Sequence, residues 1–350
     1  MIIIVLVVKD EENIMARQPK KKLKLTDHRD SFKPFHYPEF YEIWLRHESI
    51  HWLHSLVNMQ QDVADWKTNL SEQQKMYLTQ IFRLFTQGDI DVAGAYVNNY
   101  LPAFPQPEVR MMLLGFAARE AIHIASYSHL METLGFPDDV YDEFFNYKEM
   151  AAKHNFFEEM TGTDKNQIVQ QMCAVSAFTE GMQLFSSFAM LLNFGRNNLM
   201  PGMTKIITFS IIDETIHVEG VVQLFRTFIK ENRDIWTDEL KSQLYSIAER
   251  MVELEDGFID LTYGIMDGSE FKQSLLKSDM HSYIRYIADR RLIQLGLKPI
   301  FKQKKNPLSW IDEMLVLPSH SNFFEQDESS YSKGALVGTW DDVWGHIDNS

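Results

Sequence analysis

Two Glu-x-x-His elements stand in stretches of helical periodicity, Glu120-Ala-Ile-His123 and Glu214-Thr-Ile-His217. Residues three apart on a helix share a face, so each element can offer a carboxylate and an imidazole to one site. The form alone is weak evidence. Glu48-Ser-Ile-His51 has it too and is given no metal role, since a surface pair or a satisfied core histidine explains it as well. The upstream carboxylates change the reading. Asp89 precedes Glu120 by 31 residues, and Glu180 precedes Glu214 by 34. Thirteen residues lead from Asp89 to Pro102, and thirteen from Pro107 to Glu120. If both stretches are helical, they rise and fall by the same roughly 20 Å, which returns Glu120 to the level of Asp89 on an antiparallel neighbour. The second unit repeats the pattern, with 15 residues from Glu180 to Gly195 and 13 from Pro201 to Glu214.

Four carboxylates and two imidazoles thus meet at one depth. Burying them without cations would cost several kcal/mol for each uncompensated charge. A pair of divalent metals removes that conflict, and carboxylate-rich ligation with imidazole suits iron or manganese. The ligand set Asp89, Glu120, His123, Glu180, Glu214 and His217 resembles that of the ferritin-like di-iron and di-manganese carboxylate proteins.

Such a site requires long helices. Pro, Gly and polar clusters divide the chain into helical stretches, predicted at Pro38–His54, Glu72–Tyr100, Pro107–Leu134, Asp138–Thr161, Asp164–Phe194, Thr204–Glu231, Thr237–Thr262 and Glu270–Leu295. No convincing alternating strand appears. The expected fold is all-α, a ferritin-like helical bundle over residues 35–300. A mobile N-terminal arm (1–34) precedes it and a flexible C-terminal segment (301–350) follows. Many stretches are bulky around their circumference, Phe178 to Phe194 among them, as interior helices are. The tail carries Phe323, Phe324, Tyr331, Trp340 and Trp344, aromatics that a purely solvating tail would lack.

Composition narrows the function classes. The formal net charge is −15, which argues against nucleic acid as the main partner, and the basic run Arg17–Lys24 reads as a solvated arm. No apolar run approaches the roughly 20 residues that span a bilayer. Ile2–Val8 is too short and runs into Asp10, Glu11 and Glu12, so it does not read as a secretory signal; Met15 is a second candidate initiator. Cys173 is the single cysteine. It excludes a disulfide framework, a CxxC pair and a cysteine zinc cluster, and a cytoplasmic home follows. Chemistry that consumes a dithiol must then happen on another protein.

Phe116-Ala-Ala-Arg-Glu-Ala-Ile-His-Ile-Ala-Ser-Tyr127, together with Ser210-Ile-Ile-Asp-Glu-Thr-Ile-His217, resembles the small subunit of class I ribonucleotide reductase. The resemblance runs from about Tyr41 to Leu295 and includes features of the tail. It implies that Tyr127, one turn after His123, is oxidised to a neutral radical when reduced metals meet dioxygen; the alternative is a core tyrosine. Leu184 and Phe188 could wall that radical off, or be plain core. Asp213 and Trp52 match the family's hydrogen-bonded chain from a metal-bound histidine toward the surface, and the Trp44/Trp52 spacing supports the alignment. A buried structural tryptophan is the alternative there. Tyr331 resembles the tail tyrosine that relays the radical.

The resemblance further implies two metal ions, iron first, with manganese–iron or di-manganese as the other options. It implies a homodimer whose C-terminal tail binds a large subunit, where ribonucleotides become deoxyribonucleotides. Two positions depart from the family. Leu56 stands where a glutamate usually follows the pathway tryptophan, and Ser210 stands where an apolar wall residue is common. A di-metal ligand-binding oxidase, a ferroxidase and a metal-free scaffold are the rival readings.

Overall fold

The computed structural model describes residues 23–312 and 314, apart from 161 and 267–273. The described residues contain helices and loops but no strand. Helix α1 (Pro38–Glu48) opens on a proline, α2 (Gln60–Ala64) is a short turn, and α3 (Glu72–Ala95) starts with a capping box between Ser71 and Gln74. Helix α3 runs on through a π-helical stretch, Tyr96–Tyr100, into the single turn α4 (Leu101–Ala103). Helix α5 (Pro107–Leu134) also begins at a proline and stops at Gly135, whose φ of 86° only glycine adopts at no cost.

Beyond that turn lie α6 (Asp139–Asp142), a 3-10 turn (Glu143–Asn146) and α7 (Lys148–Glu159). Asp164 then caps α8 (Lys165–Gln171) through the amides of Asn166 and Gln167. This rod continues through another π-helical stretch, Met172–Gln183, into α9 (Leu184–Arg196). Helices α10 (Pro201–Glu231), α11 (Asp238–Ile265) and α12 (Lys277–Gln294) complete the bundle.

The pairing is the one the equal spacings require. Helix α3 lies on α5, α10 lies on the Met172–Gln183 stretch, and α1, α11 and α12 close the outside. Large rings fill the middle: Trp52, Phe85, Tyr96, Tyr100, Phe116, Tyr127 and Phe188 are almost wholly buried. Each contributes on the order of 1.5–3 kcal/mol by leaving water. Cys173 is buried in the same interior, and burial pushes its thiol well above the usual range.

Several expected boundaries move. Pro38–His54 is not one helix. The chain leaves α1 at Glu48 and runs extended at Leu53 before a 3-10 turn at His54–Leu56, which lets Trp52 turn inward. Asp138–Thr161 breaks at Tyr147, where Arg83 bonds Glu143 and the Tyr147 hydroxyl (3.2 Å). Helix α10 starts at Pro201, three residues before the expected Thr204, because Asp62 accepts from the amides of Gly202 and Met203 at 2.8 Å and Asp65 from that of Met200 at 2.8 Å. Helix α12 begins at Lys277 rather than Glu270.

Both ends of the expected domain extend too. Leu25 is fully buried, and Gln106 Nε2 donates to the carbonyls of Lys24 (2.9 Å) and Asp27 (2.7 Å), so residues 23–34 lie against the bundle instead of forming an arm. At the other end Asp289 accepts from the amides of Phe301 and Gln303, and Leu308 and Ile311 are buried. Tyr331 and the other tail aromatics lie outside the described residues. No described helix is long and apolar enough to cross a membrane.

Candidate metal centre

Four rods supply the six side chains. Asp89 comes from α3, Glu120 and His123 from α5, Glu180 from the Met172–Gln183 stretch, and Glu214 and His217 from α10. All are buried to 1% exposure or less. Their donor atoms form two groups, Asp89–Glu120–His123 and Glu120–Glu180–Glu214–His217, each within 4.8 Å.

Glu120 belongs to both groups, and Glu214 likewise faces both histidines. Glu120 puts Oε2 3.2 Å from His123 Nδ1 and Oε1 3.0 Å from His217 Nδ1. Glu214 puts Oε1 3.2 Å from His123 Nδ1 and Oε2 3.3 Å from His217 Nδ1. Asp89 closes one end and Glu180 the other, with Glu180 Oε1 3.3 Å from His217 Nδ1. Crowded as they are, Asp89 Oδ2, Glu120 Oε1, both Glu214 oxygens and His217 Nδ1 make no hydrogen bond. Buried polar atoms are otherwise nearly always paired.

The electrostatics follow from burial and like charge. Burial and then the Glu120 carboxylate push Asp89 well above the usual carboxylate range. Burial lifts Glu180 to about 7, helped by Glu214 and tempered by His217. Burial would also raise Glu120, but His123 and His217 hold it down at about 2. Both histidines are raised by the surrounding acids in spite of burial. Acids packed this closely need positive charge beside them.

Outward from the six, His123 Nε2 lies 3.1 Å from Asp213 Oδ2, which accepts from Trp52 Nε1 at 2.8 Å. Arg119 reaches Asp213 Oδ1 at 3.2 Å. Burial opposes ionisation of Asp213, but His123 and Arg119 outweigh it and hold the carboxyl below its usual range. The Trp52 indole is fully buried and stacks near the His123 ring at 5.9 Å. Leu56 stands 55% exposed on the turn beyond it.

On the other side, His217 Nε2 lies 3.2 Å from His47 Nε2. Burial, then the charges of His217 and Arg119, push His47 down to about 3. Tyr96 donates to Glu180 Oε1 at 2.8 Å and Oε2 at 3.0 Å. Tyr127 is 1% exposed and donates to Ser210 Oγ at 2.9 Å. Its ring stacks on Phe85 at 4.6 Å, which in turn stacks on Phe188 at 5.4 Å.

The structure brings together nine of the ten expected site residues, with Tyr331 outside description. Glu48 and His51 are exposed, since α1 ends between them. Four neighbours were not expected: His47, Phe85, Tyr96 and Arg119. A signal existed for Tyr96, which follows Asp89 by seven residues and so shares its face. Arg119 adjoins Glu120, but adjacency on a helix says nothing about a common target.

Residues 29–307 match the family described as ribonucleotide reductase, small chain. The chain belongs to that family. Among its relatives, "Probable ribonucleoside-diphosphate reductase small subunit 048L" of Invertebrate iridescent virus 3 is 47% identical, over 91% of this chain and 88% of its own. The ribonucleotide reductase R2 subunit from Clostridium botulinum superposes with a TM-score of 0.72 at 20% identity, covering 80% of this chain and 88% of that one. The dimanganese(II) NrdF of Streptococcus sanguinis gives 0.68 at 19%, covering 81% and 96%. These two likenesses carry the fold, a ferritin-like bundle. As a ribonucleotide reductase small chain, the protein is part of an oxidoreductase.

Proposed function

We propose that the six buried residues hold two metal ions and that Tyr127 stores a neutral radical for ribonucleotide reduction on a separate large subunit. The observation that carries this reading is the pair of carboxylates, Glu120 and Glu214, each facing both histidines. The fit rests on five buried atoms of these six residues that make no hydrogen bond. Oxygen-rich donors with two imidazoles suit iron, and manganese in one or both places, and we propose iron. When bound in reduced form, such ions supply the electrons that activate dioxygen and leave an oxidant able to take one electron from a phenol.

The chain's own residues do the rest. Asp213 holds His123 by Nε2, which fixes its tautomer and leaves Nδ1 facing inward. Ser210 accepts the Tyr127 proton's hydrogen bond and fixes where it points. Phe85 and Phe188 keep water off that ring. Trp52, bonded through Asp213 to His123, is the exit for the radical equivalent, and the C-terminal segment with Tyr331 carries it onward. The reading also includes a homodimer and a cytoplasmic setting.

Low-temperature EPR on apo-protein loaded with Fe(II) and exposed to dioxygen tests this reading, beside Tyr127→Phe. A tyrosyl doublet in the wild type that vanishes in Tyr127→Phe is the expected result. A doublet that persists in the variant would move the radical elsewhere.

A further inference from the structure

We propose that Tyr96 is a positioning residue for Glu180, occupying the face on which that carboxylate would chelate and leaving it to meet the metal site by a single oxygen. The inference rests on the two-metal reading above. Its geometric basis is the near-equal reach of the Tyr96 hydroxyl to the two Glu180 oxygens, 2.8 and 3.0 Å. A donor equidistant from both oxygens of a carboxylate lies between them, on the side where one ion would bind both. Glu180 Oε1 is meanwhile the atom turned toward His217 Nδ1 at 3.3 Å.

The other three acids differ. Asp89 Oδ2, Glu120 Oε1 and both Glu214 oxygens have no hydrogen bond. No described hydrogen bond spans both oxygens of any of them.

The phenol is also held from both sides. Its ring is fully buried, edge-on to Tyr100 at 5.4 Å and to Phe116 at 5.9 Å, and Phe116 lies on the His217 ring at 4.4 Å. Tyr100 in turn donates to the Gln171 carbonyl at 3.1 Å, at the point where the rod carrying Glu180 turns π-helical. Tyr96 itself opens the π-helical stretch that follows α3, two turns after Asp89. The hydroxyl therefore cannot swing away from Glu180 without moving packed rings, and Glu180 cannot rotate to chelate without losing its donor.

The test is Mn(II) titration of the full-length apo-protein, reading the free ion by EPR, for wild type, Tyr96→Phe and Tyr100→Phe. Tyr96→Phe keeps the ring, so its thermal melt should match that of Tyr100→Phe, which removes a neighbouring buried hydroxyl that does not touch Glu180. Wild type and Tyr100→Phe should bind two ions alike. Tyr96→Phe should hold one as before and the second about 10–100-fold more weakly, with a changed bound-Mn(II) spectrum. Unchanged or tighter binding in Tyr96→Phe would overturn the inference, since the hydroxyl would then be idle or in competition with the ion. A visible phenolate band in the Fe-loaded wild type that disappears in Tyr96→Phe would overturn it too, making Tyr96 a ligand. Failure of the wild type to bind two ions would instead sink the two-metal reading.

Discussion

Tyr127 and Ser210 make the sharpest departure of this pocket from an apolar cage. A phenol that donates to a serine hydroxyl 2.9 Å away has polar company where a stored radical is better served by hydrocarbon. Ser210→Ile should lengthen the half-life of the tyrosyl signal, and Ser210→Ala, which adds no volume, should shift it in the same direction. An unchanged decay in both variants would show that the hydroxyl does not limit the radical. At this scale the sequence was largely legible: acids and imidazoles announce themselves by type, and their spacing by helical arithmetic. His47 and Phe85 were not legible in that way. Each is one residue of a common type whose partner lies on another helix, at sequence separations from 42 residues (Phe85 to Tyr127) to 170 (His47 to His217).

Helical periodicity found the rods but could not register their irregularities. Nothing in Met172–Gln183 distinguishes i→i+5 from i→i+4 bonding, yet the π-helical turn resets the face on which Glu180 emerges. Helix ends were misplaced where tertiary bonds decide them, as at Trp52 and at the Asp62–Asp65 cap. Packing between rods is tight at Gly220, one turn beyond His217. A Cβ there would lie 2.8 Å from two atoms of the Phe116 ring and 2.9 Å from Met112 Sδ. Gly220→Ala gains about 1 kcal/mol of helix propensity, whereas overpacking costs roughly 1–3 kcal/mol. The clash should win. A lowered melting temperature is expected, with weaker metal uptake because Phe116 presses on His217, and calorimetry with metal analysis checks both.

The α10 cap makes a pH prediction. Burial opposes ionisation of Asp65, but the Met200 amide, Asn69 and Gln61 outweigh it and depress its pKa. A depressed carboxylate stabilises the fold above its unfolded value, about 3.9, and that contribution is lost as pH falls through the folded value. Asp62 works the other way, since burial outweighs its amide donors and raises it. Asp65→Asn should therefore flatten the loss of melting temperature between pH 4 and the acid limit (~2 to 4). An unchanged slope would mean the cap carries no charge-dependent stability.

For the molecule as a whole, the all-α bundle was legible because two repeated helix pairs with matched lengths leave little topological choice. Less legible was where the bundle ends: Leu25 and Leu308 read as arm and tail residues but are buried. The acidic, aromatic segment beyond is the proposed contact with the large subunit. Removing the residues after Asn322 should abolish association in a pull-down while two metals remain bound; retained association would place the contact on the bundle. One further feature bears on how such contacts can be followed. The chain's lone thiol, Cys173, is sealed in the interior. A cysteine introduced at any exposed position would then be the sole target for a nitroxide reagent, with no native residue to remove first. Beside the radical proposed at Tyr127, that label becomes one end of a molecular ruler, and pulsed dipolar spectroscopy could chart where each part of the chain travels when its partner arrives.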